Sequence, residues 1–276
     1  MRPPFWRGKP GPSHRGDSEG IAFNRRTLLG VGAALTGTLA LGRNAAVAQG
    51  EGASPPADAP WSQSLGAGVV DRPYGSPAEF EAGVIRRNVP WLTAGTESSI
   101  SFSPLQHLNG IITPNGLFFE RYHAGRPDVD PKLHRLMIHG LVERPLLLTM
   151  DDIVRFPSVS RIHFIECPAN GGMEWRAAQL NSLQFNHGMV SCAEWTGVKL
   201  STLLEEVGLK KEAKWAMVEG ADGAHMNRSL PLEKCLDDCL VVYAQNGEAL
   251  RPEQGYPLRL VVPGWEGNVS IKWLRR

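Results

Sequence analysis

Cys167 follows an apolar, strand-like run, Val159 to Glu166, and directly precedes Pro168-Ala169-Asn170-Gly171-Gly172. A thiol that a strand delivers to a glycine-rich loop sits where backbone can approach a ligand closely. Three roles are open to it. It can be a buried structural thiol, the commonest fate of a free cysteine. It can be a nucleophile, which needs a base nearby in space, or a soft ligand to a metal. The remaining cysteines are Cys192, Cys235 and Cys239. No Cys-x-x-Cys occurs, so zinc ribbons and thioredoxin-type exchange lack their spacing, and there is no Cys-x-x-Cys-His for haem attachment. Cys235-Leu-Asp-Asp-Cys239 reads as one buried and one peripheral thiol near a helix end.

The elements that would position Cys167 follow from local signals. Ser76-Pro77 with Glu79 predicts a helix to about Arg87, with Ser at the N-cap and Pro at the first helical position. Leu133 to Val142 reads as a strand broken by Gly140. Thr149 and Asp152 have capping-box spacing, for a short helix ending before Pro157. Leu200 to Val207 predicts a helix stopped by Gly208. Trp215–Glu219, Leu240–Ala244, Leu258–Val262 and Val269–Leu274 read as strands, with Asn246-Gly247 a turn between the second and third. Strands and short helices mix without a βαβ rhythm, so the expected class is α+β with a mixed sheet.

Composition narrows the function classes. Hydrophobic content of 42% and charged content of 21% are those of a globular enzyme, and a formal net charge of +1 gives no bulk reason to expect nucleic acid or a membrane surface. Residues 1–48 read as an address: Arg25-Arg26, an apolar run to Leu41 of about 14 residues, too short to span a bilayer, then the small-residue site Ala46-Val47-Ala48. The paired arginines predict twin-arginine export to the periplasm of a folded, cofactor-loaded protein; an ordinary secretory signal is the alternative. Residues 49–75 read as a Gly-, Ala- and Pro-rich linker and 76–276 as the functional domain. Gly30-x-Gly32 lies in the address, lacks the third glycine, and is no dinucleotide fingerprint.

Several further motifs occur in order: Phe118-Phe119-Glu120-Arg121-Tyr122-His123, Glu166-Cys167-Pro168-Ala169-Asn170, Trp195-Thr196-Gly197-Val198-Lys199-Leu200, Tyr243-Ala244-Gln245-Asn246-Gly247-Glu248, Gln254-Gly255-Tyr256-Pro257-Leu258-Arg259 and Lys272-Trp273-Leu274. This ordered set resembles the molybdopterin domain of the sulfite oxidase family. The resemblance covers Phe118 to Leu274. It implies a molybdenum–molybdopterin cofactor, with Cys167 as the thiolate ligand to the metal and, with Arg121, a catalytic residue. It also implies that Phe119, Glu120, Arg121, Tyr122 and His123 contact the pterin, that Asp222 contacts the cofactor, and that Arg259, Ser270, Ile271 and Lys272 hold its phosphate end. Fixed Arg and Lys donors suit a phosphate. Taken singly, Arg121 and Lys272 are surface charges, His123 the partner of a backbone carbonyl, and Asp222-Gly223 a turn pair; order and spacing together favour the family reading.

Within the family, the Cys167 loop looks most like the SoxC branch, the molybdenum subunit of sulfane dehydrogenase. That likeness implies oxidation of sulfane sulfur on a sulfur carrier protein, or of sulfite, with electrons leaving to a c-type cytochrome subunit resembling SoxD. A periplasmic methionine sulfoxide reductase and a cofactor-free remnant that only binds a partner are the alternatives. Two positions depart from the family. Gly172 stands where animal-type sulfite oxidases carry an Arg for the anionic substrate, and Gln254 stands where the family often has His. The family continues past Lys-Trp-Leu into a β-sandwich dimerisation domain with a catalytic Tyr, whereas this sequence stops at Arg276. The expectation is therefore a chain without the family dimer, with Trp265 and Trp273 near an exposed apolar patch.

Overall fold

The computed structural model describes residues 75–89, 98–172, 174–176 and 182–276; the expected leader and the linker up to residue 74 lie outside these residues. The described residues belong to one compact unit, Pro73–Arg276. Its strands are β1 (Arg87–Asn88), β2 (Ser99–Phe102), β3 (Glu120–Tyr122), β4 (Leu136–Ile138), β5 (Leu146–Leu148), β6 (Ser158–Glu166), β7 (Val190–Lys199), β8 (Trp215–Glu219), β9 (Asn227–Pro231), β10 (Leu240–Gln245), β11 (Glu248–Ala249) and β12 (Arg259–Val261). Short helices are interspersed at Met150–Ile153, Leu183–His187, Leu200–Val207 and Leu232–Asp237. This is the α+β class expected.

The central sheet runs β11-β10-β7-β6, with β12 also on β10, and every pairing is antiparallel. Successive residues of β10 enter opposite cores. Leu240 and Val242 join Trp195, Phe118 and Phe119 on one face, while Val241 joins Val198, Leu203, Leu260 and Ile271 on the other. A sheet covered on both faces needs apolar residues at successive positions, which explains the unbroken Leu240-Val241-Val242 and Leu260-Val261-Val262 runs. The β1-β2-β3 sheet and the β8-β9 hairpin supply the remaining walls of the site described below. Among the described residues no helix is long and apolar enough to cross a membrane.

Local capping signals are realised. Thr149 and Asp152 form the reciprocal capping box, and Gly208, at φ +67°, ends the Leu200–Val207 helix. Asn246 (φ +50°) and Gly247 (φ +81°) make the tight turn between β10 and β11.

Four expectations are corrected. The helix from Ser76 is only a single 3₁₀ turn, Glu79–Glu81, which buries no residue and leaves Phe80 97% exposed; with no apolar face to dock, capping residues alone do not sustain a helix. The Leu133–Val142 strand starts later, as β4, because Leu133 and His134 close a turn on the Asp130 carbonyl; its break at Gly140 (φ +107°) stands where expected. Cys235 and Cys239 are both buried, against the expectation of one peripheral thiol; each ends in the core beneath the Leu200–Val207 helix, where burial pushes the thiols up to about 11 and about 12. Val269–Leu274 is no strand and offers no exposed edge. A 3₁₀ turn at Gly267–Val269 leads into a segment in which Ser270, Ile271, Trp273 and Leu274 are all buried. Trp265 is 42% exposed, but Trp273 is 3% exposed, with its indole donating to the Pro252 carbonyl. Alternation would turn every second side chain to solvent; here both sides are covered.

Candidate functional site

Strand β6 ends at Glu166, and Cys167 is fixed in the next position by its N–H donating to the Met189 carbonyl (2.9 Å). Its loop is pinned by Asn170, whose side chain donates to Glu166 and accepts from the Met189 N–H (3.0 Å). The thiol thereby faces a cavity of about 300 Å³. The opposing walls come from β3 (Arg121, Tyr122) with His123 just after it, the Asp222 turn ahead of β9, and the Ser270–Trp273 segment.

Of the eleven site residues expected from sequence, ten line this cavity: Cys167, Phe119, Arg121, Tyr122, His123, Asp222, Arg259, Ser270, Ile271 and Lys272. Glu120 does not. It is buried, 6% exposed, and pairs with Arg86 at 3.2 Å instead. Sequence reasoning gave no role to Arg228, Met226 and Asn268, which also line the cavity. Arg228 lies on β9, a strand not read from sequence because Asn227-Arg228-Ser229 carries no apolar alternation.

Charge is concentrated here. Arg259 is 2% exposed and donates to the Gln254 carbonyl (2.9 Å), the Gln254 side-chain oxygen (3.2 Å) and the Ser270 carbonyl (3.2 Å). Burial works against its charge, yet a guanidinium keeps its proton in proteins. Lys272 donates to the Arg121 (3.0 Å) and Glu253 (2.7 Å) carbonyls. Burial, reinforced by the Arg259 charge, pulls its ammonium down to about 7. Two close glycines hold this lysine in place. A Cβ on Gly255 (φ +107°) would meet the Lys272 Cβ at 2.9 Å, and one on Gly220 would meet the Lys272 carbonyl at 2.6 Å. Among the described residues neither Arg259 nor Lys272 has a carboxylate ion-pair partner.

Arg121 donates to His123 Nδ1 (3.0 Å), so that nitrogen is the acceptor and the imidazole proton sits on Nε2. Burial, then the Arg121 and Arg228 charges, lower the His123 pKa and keep the ring neutral at pH 7. Burial pushes the Cys167 thiol up, while the Ala169 N–H and the Arg121 and Lys272 charges pull it partly back. Asp222, 3% exposed, accepts from the Met226 N–H (2.9 Å) and so fixes the turn below the cavity.

Two observations test what group these residues fit. Among the described residues Arg259 Nε and the Asn268 side-chain oxygen are buried without a partner, beside two cations that no carboxylate meets in an ion pair; that suits an anionic, hydrogen-bonding ligand. Among the described residues no three His, Cys, Asp or Glu side chains are placed to hold a metal. A single thiolate suits a metal that arrives with an organic ligand of its own. Both match a metal–pterin cofactor with a phosphate end.

Comparison with known proteins agrees. Residues 123–276 match the family described as the oxidoreductase molybdopterin binding domain. The chain belongs to this family. Its relatives include the NADH nitrate reductase of Ulva prolifera, 38% identical over 181 residues (60% of this chain, 21% of that protein). The mitochondrial sulfite oxidase of Rattus norvegicus is 33% identical over 176 residues (60% and 32%). The crystal structure of the sulfane dehydrogenase SoxCD from Paracoccus pantotrophus superposes with a TM-score of 0.73 at 51% identity, covering 79% of this chain and 56% of that one. The sulfite oxidase type of molybdopterin fold is thereby established. The chain spans between about a fifth and a third of the two curated relatives, and just over half of the SoxCD chain. The family match begins at His123, so Phe119, Arg121 and Tyr122 enter the site by geometry, ahead of the matched span.

A pH dependence follows from Lys272. A bound anion favours the charged ammonium, so binding takes up a proton wherever the free lysine is neutral. Sulfate, whose own charge is constant above pH 3, should bind the cofactor-free chain best below pH about 7 and weaken as the pH rises through that value. Calorimetric titration from pH 6 to pH 9 should show a loss approaching tenfold per unit above the lysine pKa. Lys272→Met should bind weakly with a flat profile.

Proposed function

We propose that the chain binds the molybdenum–molybdopterin cofactor and catalyses two-electron oxidation of a sulfur substrate in the manner of SoxC, with sulfane sulfur on a carrier protein or sulfite as substrate. The observation that carries this reading is the convergence of the Cys167 thiol and the unpaired Arg259 and Lys272 cations on one cavity. Cys167 would be the protein's ligand to the metal. Arg259 and Lys272, with the Ser270–Ile271 backbone, would hold the phosphate end. Phe119, Arg121, Tyr122, the neutral His123 and Asp222 would line the pterin. When bound, the cofactor supplies two-electron redox chemistry and transfer of a water-derived oxygen.

The chain's own residues set the surroundings. Arg121, held by carbonyls of Ser99 and Tyr122, keeps a positive charge near the Cys167 sulfur and favours its thiolate. Gly172, on the loop after Cys167, contributes no side-chain cation. A less cationic loop suits a bulkier, protein-tethered sulfur better than a small free oxyanion. For sulfite the balance is one sulfite and one water to sulfate, two protons and two electrons. The electrons would pass singly to a c-type cytochrome subunit, for which the SoxCD likeness is the support.

Purified, cofactor-loaded protein should reduce a c-type cytochrome in the presence of a carrier protein bearing a cysteine persulfide, and faster than with free sulfite. Reduction by neither substrate would refute the sulfur-oxidising reading. The paired Arg25-Arg26 supports twin-arginine export to the periplasm. Lysine at both positions should leave the loaded protein in the cytoplasm, read by cell fractionation; unimpaired periplasmic delivery would refute that route.

A further inference from the structure

The Trp195-Thr196-Gly197-Val198 motif has no place in the cavity lining, yet Trp195 is fully buried and touches three of the cavity's supports. Its ring lies 5.0 Å from the Arg259 guanidinium carbon. Its indole N–H donates to the His163 carbonyl (3.0 Å) on β6, the strand that ends one residue before Cys167. Its ring also meets Phe118 edge-on at 5.6 Å, and Phe118 stacks on Phe119 at 5.6 Å. The circuit closes through Gln254, which donates to the Phe119 carbonyl (2.9 Å) and accepts from Arg259 through its own carbonyl and side chain.

With no carboxylate pairing to Arg259 among the described residues, the π face of Trp195 adds to the Gln254 and Ser270 oxygens as an electrostatic partner for this buried charge. A desolvated cation over an indole is the strongest form of that contact. We infer that Trp195 is a positioning residue: it holds the Arg259 guanidinium on the cavity wall, in register with the Cys167 strand, to receive the anionic end of the cofactor. The cofactor part of this inference rests on the phosphate reading of Arg259 above.

Two measurements on the cofactor-free full chain test it. One is the hydrogen exchange of the Arg259 Nε–H, followed at its resonance, which reads how firmly the guanidinium is held without any ligand and, unlike the shift, does not carry the ring current of Trp195. The other is sulfate affinity by calorimetry at pH 6.5. Trp195→Leu should shift the resonance, speed its exchange and weaken sulfate binding by about tenfold, and Trp195→Phe, which keeps a smaller ring face, should lose only about threefold. Leu203→Ala, in the opposite core, should lower stability but leave both readouts unchanged. Unaltered Arg259 Nε–H exchange in both tryptophan variants would overturn the inference, and so would an equal loss of sulfate affinity in Leu203→Ala. Should Trp195→Leu not fold, unaltered exchange in Trp195→Phe overturns it alone. If the wild-type chain binds no sulfate while the exchange still responds, the phosphate reading fails and the positioning stands.

Discussion

Cys167→Ser should lower turnover of the loaded enzyme by roughly a thousandfold or more, with the melting temperature changed by no more than a few degrees. The substitution is nearly isosteric at a partly buried position, so packing changes little. The ligand chemistry changes a great deal, because a hard hydroxyl replaces a soft thiolate. The backbone anchors of the loop, the Met189 carbonyl and the Asn170 side chain, do not involve the sulfur and remain. Serine at Cys192, Cys235 or Cys239 should keep metal content near that of wild type, since none of these thiols lines the cavity. Metal loss confined to one of those three variants would show that the wrong thiol has been assigned.

The second large effect is on cofactor retention. Arg259→Met and Lys272→Met keep the volume of the side chain and remove its charge. Each should weaken retention by roughly tenfold to a hundredfold, from a loss on the order of 1.5–3 kcal/mol per charged hydrogen bond. Arg259→Lys should fall between, because an ammonium keeps the charge without the planar fork that reaches both Gln254 and Ser270. Pterin fluorescence released from purified protein measures retention directly. Full pterin content in both methionine variants would remove the phosphate role from these residues.

How legible the fold was depends on the range of the interaction that decides each element. The Thr149–Asp152 box, the Gly208 stop and the Asn246-Gly247 turn are local, and they stand where the sequence places them. The Val159–Glu166 run became β6, starting at Ser158, because its pairing with β7 extends along its whole length. Ser76 carried an equally clear local signal, yet no apolar face followed, and a single turn resulted. The Val269–Leu274 segment failed for the opposite reason. Its apolar character is real, but it is enclosed on two sides, by Leu258 and Leu260 and by Gly220 and Ala221, and long-range hydrogen bonds set its path.

The site was more legible than the fold around it. Ten of the expected residues meet at one cavity although they come from separate elements of the chain. Glu120 stands apart because its carboxylate pairs with Arg86, a long-range contact that no local motif announces. Arg228 was missed since nothing in Asn227-Arg228-Ser229 separates it from a solvated charge, and only the β8-β9 hairpin brings it to the cavity. Trp195 acts from behind the wall, through Arg259, and no spacing rule reveals a contact of that kind.

The central claim is that this cavity holds a molybdenum cofactor through Cys167 at the metal and through Arg259 and Lys272 at the phosphate. Molybdenum and pterin should be counted per chain in the full-length protein, purified from a host that makes the cofactor, beside an Arg259→Met/Lys272→Met double variant. The account predicts one molybdenum and one pterin per wild-type chain and near-complete loss of both from the double variant, with the fold retained by circular dichroism. A folded wild-type chain carrying neither, or a double variant as fully loaded as wild type, would contradict it.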